Sequence, residues 1–356
     1  MALSQVGLER LGTSVTEKIG KRKNIIINGD FKVAQRGTSS TSGGYQTVDR
    51  YRCNNSGVDE APTQAQHTLT SSDTGPYQEG FRFSFHVTNG NQTSGAGADD
   101  VIELLTKLEA RDIANSGWDY KSSSSYLTLS FWVKSSVAQN FFGYLKTADG
   151  TAQNFPFQTG SLSADTWTKI TKKIPGNSSL DFDSDATGGS NEGLRIIWGP
   201  FYGTNSTDSG VALDTWAAYA SSTRTPDYTS TWYTTNNSTF EITGVQLEVG
   251  SVATDFEHRS FAEELSLCQR YFQHIGKDTD IFFSTYSAGN FNPRMPFSFP
   301  EMRAAPSTVL SQSVNTNGTI SFSVINNNSL SINIARSGST VGLMDAQFDF
   351  TLSSEL

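Results

Sequence analysis

The chain has 356 residues, of which 36% are hydrophobic and 17% charged, with a formal net charge of −9. Its 31 Gly and 23 Phe, with many Ser, Thr and Asn, exclude a disordered chain, because aromatic residues recur throughout and can fill a core. The acidic balance excludes a surface built to track nucleic-acid phosphates, which needs clustered Lys and Arg.

The length predicts two domains, since it exceeds what one small core normally organises. Aromatic and β-branched residues among small polar ones predict β-sandwich strands and turns. Cys53 and Cys268 are the only cysteines, too few and too far apart for a disulfide framework or a zinc site, and no bond between them is expected. The first twenty residues lack the apolar core of a signal peptide, and no apolar run approaches membrane length. A soluble protein made in a cytoplasm, with no membrane insertion, is expected.

In chain order, residues 1–23 stand apart. Leu8, Leu11, Val15 and Ile19 make one helical stripe, weakened by Gly7, Gly12 and Gly20, so an arm that orders against a partner is predicted. The basic knot Lys21, Arg22 and Lys23 reads as a solvated linker. In "INGDF", Asn28 and Gly29 predict a tight turn, with Asp30 capping a backbone amide or joining a structural ion. From Asn24 to about His258 the alternation is β. In "FRFSFHV", Phe81, Phe83, Phe85 and Val87 share a face; in "YLTLSFWVKS", Leu127, Leu129, Phe131 and Val133 do. "TWTKITKKIPG" and "GLRIIWG" continue the pattern, with Ser/Thr/Gly/Asn tracts between strands, which predicts a sandwich or barrel. "VIELLTKLEARDIANSG" is read as a strand followed by one short helix.

"FEITGVQLEVG" changes parity at Gly244, so one extra residue, a bulge, is expected there. Ser260 and Glu263 form an S-x-x-E capping pattern, and Phe261, Leu265, Cys268 and Phe272 would share a helical face. Beyond it, "IFFSTYS", "TISFSVI", "SLSINIA" and "QFDFTL" read as strands around a Pro-rich stretch whose prolines belong at edges. The expected order is therefore an arm (1–23), a large β domain (24–258) and a smaller β domain (259–356) led by one helix.

The segments "NIIINGDFKVAQRGTSS", "LTLSFWVKSS", "ADTWTKITKKIPG", "NEGLRIIW", "MRAAPS" and above all "GVQLEVGSVATDFEHRSFAEELSLCQRYF" resemble recurring pieces of bacteriophage tail-fibre and virion-surface fibre proteins. The resemblance runs from about Asn24 to near the end. It implies a carbohydrate-binding-module-like jelly roll, a homotrimer, attachment to other virion proteins through residues 1–23, a virion-surface location, and bacterial surface polysaccharide as the ligand. Alternatives are a head or tail decoration protein with a purely structural role, and a polysaccharide depolymerase.

No G-x-S-x-G elbow, Walker loop or H-E-x-x-H is present, and the four histidines, His67, His86, His258 and His274, read as hydrogen-bonding surface or junction residues. An enzyme is not expected, although paired carboxylates could cleave glycosides. In "DFDSDATGGSNE", Asp181, Asp183, Asp185 and Glu192 stand at positions 1, 3, 5 and 12 of a calcium loop. Position 6 is Ala186 rather than Gly and no helices flank it, so two readings stand: a structural calcium, or an acidic hairpin turn capping its own backbone. No cofactor is required. Between Gly199 and Phe240, Trp216, Tyr219, Tyr228, Trp232 and Tyr233 mix with Arg224 and Asp227. Sugar rings stack their apolar faces on such aromatics while polar neighbours take the hydroxyls. These seven are the candidate glycan-binding residues; the competing reading is that the aromatics pin the loop to the core.

Overall fold

The computed structural model describes residues 23–182, 192–276, 281–287, 294–316, 318–336 and 342–356. The alternating segments form strands β1 (Ser39–Ser40), β2 (Tyr51–Ser56), β3 (Thr63–Thr68), β4 (Phe83–Thr88), β5 (Val101–Glu109) and β6 (Tyr126–Ser135). They continue as β7 (Asn140–Thr147), β8 (Gln153–Ser161), β9 (Thr168–Pro175), β10 (Glu192–Tyr202), β11 (Ala217–Ala218) and β12 (Thr239–Val249). Helix α1 (Ala110–Ala114) follows β5, as expected, and α2 (Thr231–Thr234) precedes β12.

The strands make two antiparallel six-stranded sheets, β1-β3-β4-β12-β6-β9 and β11-β8-β7-β10-β5-β2. This is the all-β jelly-roll sandwich that was expected. Period-2 alternation sends one parity of each strand inward. Phe85, Leu129, Phe131 and Ile242 from the first sheet join Leu104, Phe155, Ile196 and Trp198 from the second in one buried cluster. Phe131 meets Trp198 edge-on across the sandwich, with ring centroids 5.6 Å apart. Each such side chain contributes about 1.5–3 kcal/mol when fully buried.

The bulge lies where the parity slips. The β12–β6 register shifts between Thr243 and Gln246, and Gly244 has φ +62°, a conformation costly for other residues. Up to Ile242, β12 pairs with β4. Past the bulge that edge is taken by residues 25–29: Val245 N donates to Gly29 O and Leu247 O accepts from Ile25 N, both at 2.9 Å. The extra residue thus lets one strand change partners. The turn at Asn28 also forms, closed by Phe31 N donating to Asn28 O at 3.0 Å.

Helix α3 (Phe261–Gln269) is capped as expected, Ser260 Oγ accepting from Glu263 N at 3.2 Å. Its buried face differs from expectation: Glu264 and Cys268 are buried, Phe261 is 58% exposed, and Phe272 belongs to the next strand. The reason is a polar dock. Glu264 accepts from Asn28 N at 2.5 Å and pairs with Arg259 at 3.3 Å, while Cys268 packs with Ile27, Val33 and Tyr271. Cys53 and Cys268 are both free and buried.

Strands β13 (Phe272–Ile275), β14 (Ile281–Ser287), β15 (Arg294–Ser298), β16 (Ser307–Thr316), β17 (Gly318–Asn326), β18 (Ser329–Arg336) and β19 (Gly342–Ser353) complete the chain. β19 pairs with β13, β14 and β16, and β15-β18-β17 form a second sheet in which Pro296 lies on the edge strand. A separate cluster built on Met302, Ile332, Phe348 and Phe350 fills this part. The C-terminus then returns to the sandwich: Glu355 pairs with Arg36 at 3.1 Å and with buried Arg50. The Arg50 guanidinium lies 3.4 Å from the Tyr271 ring centre. No helix among the described residues is long and apolar enough to cross a membrane. The expected arm lies outside the described residues except for Lys23.

Candidate glycan-binding face

The seven loop residues divide into two groups. Trp216, Trp232 and Tyr233 are buried, at 8%, 0% and 1% exposure. Trp216 Nε1 donates to Pro175 O at 2.7 Å, Trp232 Nε1 donates to Thr239 O at 2.9 Å, and Tyr233 stacks on Phe201 at 4.3 Å. Their expected role as a stacking platform is corrected: they present no open ring face. Burial of large aromatics with satisfied polar tips is what fixes a long loop to a core.

The other four lie further out. Asp227 is exposed and accepts from Thr207 Oγ1 at 2.7 Å, and half-buried Tyr228 donates to Phe142 O at 3.0 Å. Both line a recess of about 130 Å³ with Gly97, Phe201 and Tyr202. Half-buried Tyr219 and Arg224 reach the outer face of the second sheet. Tyr219 stacks parallel to Tyr144 at 6.5 Å, and the Lys146 ammonium sits 3.9 Å from its ring centre. Arg224 lies 4.0 Å from Glu103 and 5.5 Å from the Tyr202 ring centre.

That outer face is built by strand parity. Inward Leu104, Trp198 and Leu145 leave Glu103, Leu105 and Lys107 of β5, Arg195 and Ile197 of β10, and Tyr144 and Lys146 of β7 on the other side of the sheet, where Tyr202, Tyr219 and Tyr228 pack over Leu105, Ile197 and Tyr144 and bury them. Arg195 is the register partner of Lys107 on one side and of Lys146 on the other. Three cations therefore cross three adjacent strands side by side, an arrangement normally unfavourable. Glu192 offsets it, pairing with Lys107 at 2.6 Å and Arg195 at 2.7 Å. Arg52 of β2 donates to Asn54 at 2.8 Å, and Asn54 donates to Glu103 at 2.9 Å. Burial pushes the Lys107 and Lys146 ammonium groups down, and neighbouring Arg195 adds to the effect at both.

Sequence reasoning missed Arg52, Lys107, Tyr144, Lys146 and Arg195. Their signal was an outward parity that carries a cation in four separate strand or loop segments, invisible as a patch until the strands pair.

Of the calcium-type loop, Asp183 and Asp185 lie outside the described residues. Asp181 approaches Gly150, whose added Cβ would meet it at 3.2 Å. Glu192, the fourth residue of the calcium reading, is the counter-ion of Lys107 and Arg195. Among the described residues, His67, His86 and Glu241 form the one group with metal-ligating atoms close together, within 4.8 Å. Lys134 already neutralises that carboxylate at 3.0 Å, and Ser84 donates to it at 2.7 Å. The group is an ion-paired polar ladder across β3, β4, β12 and β6.

No family model matches the chain, and no curated protein matches it. Solved structures that match part of the chain include the enzymatically active domain of tailspike protein 4 of bacteriophage CBA120, 10% identical, covering 64% of this chain and 21% of that one, with a TM-score of 0.33. A sugar-binding protein of Bacteroides thetaiotaomicron is 11% identical over 64% of this chain and 100% of its own, with a TM-score of 0.35. A family 11 carbohydrate-binding module of Clostridium thermocellum in complex with a mixed-linked tetrasaccharide is 11% identical over 61% and 98%, with a TM-score of 0.26. The chain thus spans about a fifth of the tailspike domain. The fold assignment rests on the strand order itself.

Proposed function

We propose that the protein is a bacteriophage virion-surface fibre, most simply a homotrimeric tail fibre, that attaches non-catalytically to host-cell polysaccharide through the outer face of its second sheet. The observation that carries the reading is the meeting of half-buried Tyr219 and Arg224 from the long loop with Lys146 and Arg195 of the strands, over a floor formed by the buried Tyr144. An aromatic edge beside several side-chain donors suits a hydroxyl-rich ring, which needs apolar contact and directional hydrogen bonds together. The resemblance of the "QLEVG…FEHRS…CQRYF" region to fibre proteins adds the virion setting. Three copies would bring three weak sites to one surface and raise their effective concentration. Attachment through residues 1–23 belongs to the same reading, and no cofactor is invoked.

The test is a glycan array with the intact chain, repeated with Tyr219→Ala. Loss of the sugar signal with an unchanged circular-dichroism spectrum supports the face. Release of reducing ends from a bound polysaccharide would replace attachment by depolymerisation. Light scattering reads the trimer, and labelled particles in the electron microscope read the location; a chain found only inside the capsid would overturn the fibre assignment.

A further inference from the structure

We infer that the outer face of the second sheet takes an acidic polysaccharide, one bearing carboxylate or phosphodiester groups, laid across the Lys107–Arg195–Lys146 row. The inference rests on the glycan reading above and specifies its ligand class. The face holds Arg52, Lys107, Lys146, Arg195 and Arg224 against Glu103 and Glu192, five cations to two carboxylates, in a protein of net charge −9. A local excess of three positive charges on an acidic molecule is a focused field.

Two of the five have no carboxylate within ion-pair distance among the described residues. Lys146 rests against the Tyr219 ring, with Glu192 and Glu103 acting on it only from beyond that distance, and Arg52 has the Asn54 amide and, at 5.3 Å, the Tyr45 ring. Glu192 offsets the Lys107–Arg195 register pair, but the Arg195–Lys146 pair places like charges opposite one another with no carboxylate within ion-pair distance of Lys146, a destabilising choice in the free protein. An anion bridging the row removes that repulsion, and successive anionic groups along a polymer can meet successive strands, which are spaced about 4.8 Å apart. Arg52 and Arg224 add planar groups of a kind that binds carboxylate or phosphate through two donors at once, whereas the Arg195 fork is already held by Glu192. Burial chiefly, with Arg195 adding to it, holds the Lys107 and Lys146 ammonium groups below their usual range.

The experiment titrates the full chain with polygalacturonate, a phosphodiester-linked teichoic acid, neutral dextran and duplex DNA. Binding to one or both acidic polysaccharides is expected, and the two arms separate carboxylate from phosphodiester recognition. Raising salt from about 0.05 M to about 0.5 M should weaken it about tenfold or more, because screening shortens the reach of these charges. Lys146→Gln and Arg52→Gln, neither of which strands a carboxylate, should each weaken it about tenfold. Lys169→Gln, on the outer face of the other sheet beside Glu79, should leave it unchanged. Salt-independent binding of dextran at equal strength would overturn the acidic class while leaving the glycan reading intact. Acidic binding that survives both row variants overturns the placement. Duplex DNA bound as tightly as the acidic polysaccharide overturns recognition of a sugar, and binding to none of the four overturns both readings.

Discussion

At the scale of single residues, two positions separate structure from binding. Trp232 is fully buried and hydrogen-bonded. Its replacement by Ala should cost about 3–5 kcal/mol, read as a lowered urea midpoint. Tyr219, half-buried at the rim, should lose much less stability on the same change while sugar binding falls. A Trp232→Ala protein of wild-type stability would contradict the burial argument. Gly29 is the second case. A Cβ there would stand 2.1 Å from Val245 O, a backbone atom, which is the hydrogen-bonded seam that the bulge creates. Gly29→Ala should therefore destabilise by about 1–3 kcal/mol, as overpacking does, and denaturant titration checks it. Cys53, whose thiol burial pushes up to about 12, should stay inert to thiol reagents in the folded state.

At the scale of elements, the ladder on the outer face of the first sheet makes stability depend on pH. Burial alone would push Glu241 up. Hydrogen bonds from His67 and His86, with the charges of His86 and Lys134, overcome this and hold it far below the usual carboxylate range. The hydrogen bond to Glu241 raises His67 in return. A carboxyl lowered on folding stabilises above its unfolded value of 4.5 and loses that contribution as pH falls toward its folded value. The His67 share has the opposite sign: it is complete below 6.5 and fades as pH rises through the higher folded value. Glu241→Gln should thus be less stable than the parent by about 1–3 kcal/mol near neutrality, with the gap narrowing in acid. Thermal melts of both proteins across that range check it, and a constant gap would sink the ladder account.

At the scale of the whole molecule, the C-terminus closes on the sandwich through a buried charge. Burial would lower Arg50, but the Glu355 carboxylate keeps it above the usual arginine range. Glu109 reinforces the joint, accepting from Tyr271 Oη at 2.5 Å and from Arg270 at 3.0 Å. Removing one partner of a buried pair leaves the other charge unsatisfied, so Glu355→Ala should cost about 3–5 kcal/mol. If the proposed division near residue 258 marks two units, that variant should show two melting transitions where the parent shows one. A single transition in both would mean that cooperativity comes from elsewhere, chiefly from the cluster of Ile27, Val33, Cys268 and Tyr271.

Much of this was legible along the chain because it depends on near neighbours. Alternation places Phe85, Leu129 and Phe131 inside whatever the sheet order, a parity slip with Gly at 244 demands an extra residue, and Ser260 sits where a first helical turn needs an acceptor. Residues 199–240 were misread in part, because a Trp in a loop looks the same in sequence whether it faces solvent, as a binding ring, or the core, as Trp216 and Trp232 do. Only the pairing of β5 with β10 and β10 with β7 put Lys107, Arg195 and Lys146 side by side from positions far apart in the chain. Period and punctuation are local properties that a sequence carries by itself; a surface charge pattern is a sum over strands that only the tertiary fold makes neighbours.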